Sequence, residues 1–598
     1  MKRRSHSCGQ LRAEHVDTRV TLAGWVNNYR DHGGVIFIDL RDREGLTQVV
    51  FHPEQPDVHA AADKLRHEDV VLIEGRCVAR EAGMANSKLA TGEIEVQADG
   101  LEILNKSETP PFTPDDYGHK SEEQRLRYRY LDLRRPRMQQ ILRTRHRVTK
   151  IMRDYFDEEG FYEVETPILC KSTPEGARDF LVPSRLQEAH FYALPQSPQL
   201  FKQILMASGV EKYVQIVRCF RDEDPRADRQ AEFTQLDVEM SFVEPDDVLA
   251  LCEPLMARIW REVAGVEVPT PIPRMTYAEA VDRYGSDRPD LRFEMELVDV
   301  TDLASKMEFK IFREAIDDGG IVKAIRIPRG ATLSRKQTDD LTEWVRQFGA
   351  GGLPVARYHK PHGLQTGIAK FILESKLEEA FAERLGLMDG DLICFSVDRI
   401  HSTVNRVLGE LRVKLAHDLD MIAADQWKWI WIVDFPLVEW NDEQRRWDSL
   451  HHPFTAPTDA DVDKIESTPG EVMSKAYDLV LNGSELGGGS IRNHRPDVQQ
   501  RVFAMLGIDE AEAQEKFGFL LDALKYGAPP HGGVAFGLDR IVMHLTGTSN
   551  IRDVIAFPKT QTGADLMTGA PAPVDEMQLR DLNLRVQAAK RKDVASST

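Results

Sequence analysis

The stretch FRDEDPRADRQAEFTQLDVEM, residues 220–240, sets Arg221, Arg226 and Arg229 among seven acidic residues before it passes into alternating apolar and polar positions. Arginines steadied by carboxylates can receive a strongly anionic ligand, because a guanidinium is a rigid, permanently charged fork of donors. On charge pattern alone the same stretch reads as a solvated face. In HGGVAFGLDRIVMHL, residues 531–545, glycines flank a strand-like run that ends in Gly537-Leu538-Asp539-Arg540, which puts one arginine at a strand-to-helix junction. A third stretch is a helical run that closes at Gly160, followed by a strand-like FYEVETPIL broken at Pro167.

The usual phosphate cradles are missing. No GxxxxGK[ST] loop occurs, and the GSELGGGS cluster lacks GxGxxG spacing. His67 and Glu68 are followed by Val71 where a metalloprotease helix requires a second histidine. Cys8, Cys77, Cys170, Cys219, Cys252 and Cys394 are scattered without a CxxC pair, which reads as reduced thiols and no structural zinc. The chain has 598 residues, 41% hydrophobic and 29% charged, the profile of a soluble protein of several domains. No apolar run approaches the roughly 20 residues that span a bilayer. The basic start MKRRSHSCGQL has no signal-peptide core, so a cytoplasmic protein is expected. A net charge of −20 argues against indiscriminate adhesion to nucleic acid. RLRYRYLDLRRPRMQQILRTRHR, residues 125–147, is nevertheless a local basic surface, either phosphate-contacting or a solvated helix.

Elements must hold these residues in place. Five short runs between residues 17 and 105, TRVTLAGWV, GVIFIDLRD, LTQVVFHP, DVVLIEGRCV and GEIEVQADGLEIL, read as strands. They fit a Greek-key barrel of the OB type or another small β-domain. The Pro-rich, acidic residues 107–124 suit a linker. In the helix that follows, Val148, Ile151, Met152, Tyr155 and Phe156 share one face. Strands, helices and Gly-rich turns then alternate irregularly on both sides of residues 295–420, which suggests an α+β fold on an antiparallel sheet with an inserted domain. WKWIWIVDFPLVEW, residues 427–440, is expected to be a buried strand.

In this order the three stretches resemble the signature motifs of class II aminoacyl-tRNA synthetases. TPEGARDF at 173–180, QSPQLFKQ at 196–203, FRDED with RADRQAEFTQLD, GSELGGGSIR at 483–492 and AFGLDR narrow the resemblance to the bacterial-type aspartyl enzymes, over essentially the whole chain. The resemblance implies an OB-fold anticodon-binding domain at 1–106, a linker or hinge at 107–138, and a catalytic domain at 139–294 and 421–560. It also implies an inserted α+β domain of GAD-like type at 295–420 and a C-terminal extension at 561–598. The implied substrates are ATP, L-aspartate and tRNA-Asp, with Mg2+ as the metal. A homodimer through the segment around Pro167 is implied, with no membrane association.

Arg221, Arg540 and Glu485 are the implied catalytic residues, with Arg221 on the α-phosphate and the substrate carboxylate. ATP would also meet Asp222, Glu223, Gln230, Phe233, Gly537, Leu538 and Asp539. Mg2+ needs few protein oxygens beside phosphates, and Asp478 with Glu485 is the implied pair; as isolated acids they read as surface residues. The amino acid would be held by Glu175, Gln199, Lys202, Asp237, Arg492, His451 and His452, with Lys202 and Arg492 aimed at its side-chain carboxylate. Phe37 would stack an anticodon base while Arg30 and Gln48 bond base edges; taken alone, Phe37 reads as a buried strand residue. His32 and Gly83 occur where members that also charge tRNA-Asn differ from strict ones, which implies tRNA-Asn as a further substrate. Two alternatives stand beside this reading: an asparaginyl-tRNA synthetase, and a non-catalytic RNA-binding relative, which should have lost Arg221, Glu485 or Arg540.

Overall fold

The computed structural model describes residues 3–115, 118, 120–173, 177–423 and 425–587. The chain divides into two compact units: Met1–His146 with Asp224–Gln230 and Thr548–Val574, and Arg147–Glu223 with Ala231–Gly547 and Asp575–Thr598.

The first unit contains a closed barrel of β1 (Arg19–His32), β2 (Val35–Asp42), β3 (Gly45–Phe51), β4 (Val70–Ala79) and β5 (Ile94–Asn105), in the order β1-β2-β3-β5-β4. Alternation explains the closure: Val20, Leu22, Val26, Ile36, Ile38, Val49, Phe51, Val71, Ile73 and Val96 point inward and share one core. Short helices Glu122–Arg127 and Arg129–Asp132 follow, and then the helix Pro136–Glu158, within which the two units divide. The basic stretch 125–147 therefore spans three helices, and much of its charge is turned inward. Arg129 is 1% exposed and donates to the carbonyls of Arg552, Ile555 and Ala556. Arg134 pairs with Glu68 at 2.7 Å and stacks over Trp25.

In the second unit the strands are β6 (Tyr162–Glu163), the hairpin β7 (Leu181–Pro183) and β8 (Phe191–Ala193), β9 (Lys212–Phe220), β10 (Glu232–Ser241) and β11 (Arg274–Thr276). Then come β12 (Leu297–Asp299), β13 (Ile321–Ile327), β14 (Val355–His359), β15 (Gly363–Gln365) and β16 (Asp391–Asp398), which form a separate five-stranded sheet in the order β12-β13-β16-β14-β15. After it follow β17 (Trp429–Val433), the hairpin β18 (Val438–Asn441) and β19 (Arg446–Ser449), β20 (Ala476–Leu481), β21 (Ser484–Ile491) and β22 (His531–Gly537). The main sheet runs β11-β17-β20-β21-β22-β10-β9-β6, antiparallel except at its two ends. Strands from both ends of the chain thus meet at its centre, where β22 pairs with β10.

Two sequence expectations need correction. Residues 427–440 are not one buried strand: Asp434 takes a left-handed φ of 56°, Pro436 has no N–H to donate, and the chain leaves the sheet after Val433. Trp429 and Trp431 are buried, whereas Trp440 on the hairpin is 47% exposed. The strand expected in FYEVETPIL is only two residues long.

Candidate active site

Strand β10 provides the floor. Phe233, Gln235, Asp237 and Glu239 alternate along it and share one face. Register carries that face across the sheet: Asp237 lies opposite Gln215 and Ala535, Ala535 opposite Gly488, and Gly488 opposite Asp478. Asp237 and Asp478 therefore point to the same side, three strands and about 14 Å apart. The small residues between them are required. A Cβ on Gly488 would lie 2.0 Å from Asp478 Oδ1, and one on Gly533 would lie 2.1 Å from Glu239 Oε2. Gly488 of GSELGGGS and Gly533 of HGGVAFG thus leave space for carboxylates, and both lie in strands.

At one end of this face sits a buried ionic quartet. Lys202, from the helix Gln199–Ala207, reaches Asp237 Oδ1 at 3.0 Å and Glu239 Oε2 at 3.2 Å. Arg492 grips Glu239 with two bonds of 2.9 and 3.1 Å and donates to Ser490 Oγ and His452 Nε2, each at 2.7 Å. None of the four is more than 2% exposed. Burial raises the Glu239 carboxyl, but the charges of Arg492 and Lys202 outweigh it and hold the group below its ordinary range. For Asp237 burial wins over Lys202, and its carboxyl is raised. Burial and the Arg492 charge push His452 well below the ordinary histidine range. It is neutral there, and its Nε2 must accept, since Arg492 can only donate. Lys202 and Arg492, expected to face the substrate's side-chain carboxylate, are charge-balanced by Asp237 and Glu239.

Glu239, Ser490 and Gln203 are site residues that the sequence reading did not single out. Gln203 Oε1 lies 3.3 Å from Nε2 of the buried His531. The available signal was period two: Glu239 follows Asp237 by two in a strand-like run, so it shares its face.

At the other end, Asp478 and Glu485 converge through a bulge. Leu479 pairs with Gly487 but Val480 with Glu485, so Leu486 is an extra residue on β21. Plain alternation would send Gly488 and Glu485 to opposite faces; the inserted residue brings Glu485 to the side of Asp478. Burial and the nearby Asp478 charge raise the Glu485 carboxyl, against Arg540. Two carboxylates that repel in a half-buried site fit a divalent cation, although no cluster of three or more ligating side chains exists among the described residues. His451 Nε2 lies 3.2 Å from Asp478 Oδ1. Burial lowers this imidazole, but the Asp478 charge and hydrogen bond and the Glu485 charge outweigh that and raise it.

Arg221 follows β9 and lies over the Phe233 ring, 5.2 Å from its centroid. Arg540, in the first turn of the helix Leu538–Thr546, donates to the Glu485 carbonyl. Asp222 receives little: its amide donates to Arg178 O at 3.0 Å, and its carboxylate lies 3.8 Å from the Arg178 guanidinium. The Glu223 amide donates to Arg221 O. Leu538 is buried, and Asp539 accepts from the Thr234 amide at 2.8 Å, which ties the helix to β10. Gly537 caps that helix. Gln230 belongs to the first unit, where its Oε1 accepts from the Lys559 amide at 2.9 Å. Glu175 lies outside the described residues. Four buried polar atoms of the expected set find no partner among the described residues: Gln199 Nε2, Arg221 Nε, Asp237 Oδ2 and His451 Nδ1.

On the barrel, Ile36 and Ile38 are buried while Phe37 between them is half-buried and outward, so it is not a core residue. Arg30 lies opposite it and donates to Asp39 Oδ1 at 2.9 Å and Gln48 Oε1 at 3.4 Å. His32 packs edge-on to Phe37, centroids 6.0 Å apart. Gly83 sits apart, at φ 86° in the loop between β4 and β5.

Residues 121–561 match the family described as tRNA synthetases class II (D, K and N), and residues 20–104 match the OB-fold nucleic acid binding domain. The chain is 52% identical over 595 residues to an aspartate-tRNA(Asp/Asn) ligase of Desulfatibacillum aliphaticivorans, covering 99% of each chain. It is 53% identical over 584 residues to the protein of that name from Geotalea uraniireducens (strain Rf4), covering 98% of each. Among solved structures, asparaginyl-tRNA synthetase from Pyrococcus horikoshii complexed with asparaginyl-adenylate aligns over 94% of this chain and 99% of that one, with a TM-score of 0.59 and 19% identity. The last likeness is one of fold.

Proposed function

Because the chain belongs to the class II tRNA synthetases of the D, K and N group, we propose that it joins L-aspartate to tRNA through an aspartyl-adenylate. The aspartate α-carboxylate attacks the α-phosphorus of ATP and pyrophosphate leaves. A ribose hydroxyl at the tRNA 3′ end then attacks the adenylate carbonyl and AMP leaves. Both steps gather negative charge on phosphate oxygens, so the need is for fixed cations and in-line placement more than for a protein acid or base.

The observation that carries the reading is the quartet with its unfilled Asp237 Oδ2. A carboxylate oxygen buried without a donor suits the substrate ammonium, and Gln199 Nε2 is a donor for its carboxylate. Lys202 and Arg492 can only donate, so an aspartate side chain satisfies them where the NH2 of asparagine would oppose them. Glu239 holds both cations in place, and His452, kept neutral, adds no charge. Arg221, steadied on Phe233, turns its open Nε to the α-phosphate; Arg540 binds the far phosphates, and Asp222, Glu223, Gln230 and Gly537 border ATP. Asp478 and Glu485 would hold Mg2+, which when bound neutralises phosphate charge.

The OB barrel reads the anticodon with Phe37 stacked on a base and Arg30 and Gln48 on its edges. The relatives' names extend the reading to both tRNA-Asp and tRNA-Asn, with His32 and Gly83 as the residues that relax discrimination. The protein acts in the cytoplasm; no helix among the described residues is long and apolar enough to cross a membrane. It acts as a homodimer through the segment around Pro167, where Tyr162, Ile168 and Leu169 are exposed.

The test is ATP–pyrophosphate exchange with magnesium, followed by charging of purified tRNA-Asp and tRNA-Asn side by side. Exchange that depends on aspartate and not asparagine is expected, with both tRNAs charged. No exchange by folded protein overturns the activity, and failure on tRNA-Asn overturns the relaxed specificity.

A further inference from the structure

His531 is a buried titratable group to which the reaction above gives no task. It opens β22 opposite Ser241 of β10 and is 0% exposed. Its Nδ1 lies 2.8 Å from the Pro529 carbonyl, which can only accept, so Nδ1 carries a proton. Burial lowers the imidazole, against the Glu239 charge and the Pro529 carbonyl, and the Arg492 charge adds to the lowering, so the ring is neutral. Nε2 is then a bare acceptor, 3.3 Å from Gln203 Oε1. Two acceptors do not bond, so the Gln203 amide is turned end for end, with its NH2 toward Nε2. The turn gives up only a 3.5 Å bond to the Gln199 carbonyl. Gln203 is itself 0% exposed, so no water competes for either partner.

We propose that His531 is a positioning residue for the amino-acid subsite: it holds Gln203 and, through it, the helix Gln199–Ala207 that carries Gln199 and Lys202. The inference rests on the synthetase reading and adds to it. Gln199, Lys202 and Gln203 stand at i, i+3 and i+4, so they share one face of that helix, and all three are buried. Apolar Leu200 seats the helix in a cluster with Phe454, Phe503, Phe517 and Leu520. Such contact is non-directional and sets the rotation of a helix about its axis only loosely. A hydrogen bond between two buried side chains is directional and sets it closely. Any rotation moves Gln199 and Lys202 together. On the main-chain side, the His531 carbonyl accepts from the Arg492 amide at 2.9 Å, so one residue steadies the bases of both cations expected at the substrate side chain. All of these residues lie in the second compact unit. Stability alone does not call for a buried polar pair, since two apolar side chains of the same shape serve as well.

The experiment compares the wild type, His531→Gln, His531→Asn, Gln203→Met and the double variant of the last two, each as the full chain. Glutamine sets a polar group where Nε2 stood and keeps the bond to Gln203; asparagine reaches only the Nδ1 position, toward Pro529. Aspartate binding is read by calorimetry, and the KM values for aspartate and ATP by pyrophosphate exchange. In His531→Asn and in Gln203→Met the Kd and KM for aspartate should rise about tenfold while the KM for ATP stays within about twofold. In His531→Gln the aspartate values should stay within about threefold of the wild type, although both histidine variants melt alike. The double variant should lose no more than either of its parents, because the two residues act through one bond. An unchanged KM for aspartate, equal rises in both KM values, a glutamine variant no better than the asparagine one, or additive losses overturns the proposal. If His531→Asn does not fold, Gln203→Met and His531→Gln decide by the same KM comparison. A wild type with neither aspartate binding nor exchange overturns the synthetase reading instead, and that result is seen before any variant is compared.

Discussion

Single residues show how the site is built from acids as much as from bases. Glu239 is the clearest case: it neutralises and aims both Lys202 and Arg492. In sequence it is one acid in a charged stretch, and its chief partner lies 253 residues away, a pairing that no local pattern encodes. Arg221 and Arg540 were legible because a motif carries them; Glu239, Ser490 and Gln203 were not, because their roles exist only after strand pairing. Glu239→Gln should cost about 3 kcal/mol of stability, since a buried ion pair that loses one partner leaves charge uncompensated. It should also raise the KM for aspartate more than that for ATP. Because the folded Glu239 carboxyl lies below its ordinary value of 4.5, its contribution is present above that pH and is lost as pH falls through the lower folded value. The deficit of the variant in urea melts should therefore shrink in acid, and a deficit constant with pH would refute the charge account. For Arg221→Lys, exchange should drop by roughly a hundredfold or more with melting unchanged, because one ammonium cannot reproduce the stacked fork.

At the scale of elements, two irregularities place the chemistry. The bulge at Leu486 turns Glu485 toward Asp478, and Gly488 of β21 and Gly533 of β22 keep the sheet face clear for Asp478 and Glu239. Sequence reading saw glycines without phosphate-loop spacing, but a bulge depends on the partner strand and cannot be seen in one strand alone. The same limit explains residues 427–440, where apolar content suggested one strand and Asp434 with Pro436 ended it. Gly488→Ala tests the clearance directly. Its Cβ would meet Asp478 Oδ1 at 2.0 Å, so the carboxylate must move while the backbone φ is acceptable to alanine. Exchange should fall by about a hundredfold. Its magnesium optimum should shift upward, whereas aspartate protection against thermal unfolding, which reports the quartet, should persist. Loss of that protection would show that the substitution had disturbed the whole sheet.

At the scale of the whole molecule, the five-stranded barrel was readable from its short strand-like runs, whereas the fastening of the later five-stranded sheet was not. The five-stranded sheet between Leu297 and Asp398 interrupts the main sheet, and one side chain secures its return. Arg412, on the helix His401–Asp418, is 1% exposed; it donates to the carbonyls of Asp290, Phe293, Glu294 and Met295, and lies 4.1 Å from the centroid of Phe293. Among the described residues no carboxylate pairs with it directly, and burial lowers its guanidinium to about 10. In sequence this is one more arginine in an amphipathic helix, because the carbonyls that need it lie more than a hundred residues earlier. Nearby, Gly285 and Gly409 pack backbone to backbone, and a Cβ on Gly285 would meet Gly409 Cα at 2.7 Å. Arg412→Met keeps the packing length but leaves the carbonyls without a donor, at a cost of about 3 kcal/mol. The urea midpoint should fall with an unchanged slope, and tryptic cleavage after Arg292 should accelerate before global unfolding. Arg412→Lys should lie between the two, since it restores charge but not the four-carbonyl span. If the midpoint falls while cleavage stays slow, the arginine stabilises the unit as a whole without fastening the strap, and the assignment of Arg412 as its fastener fails.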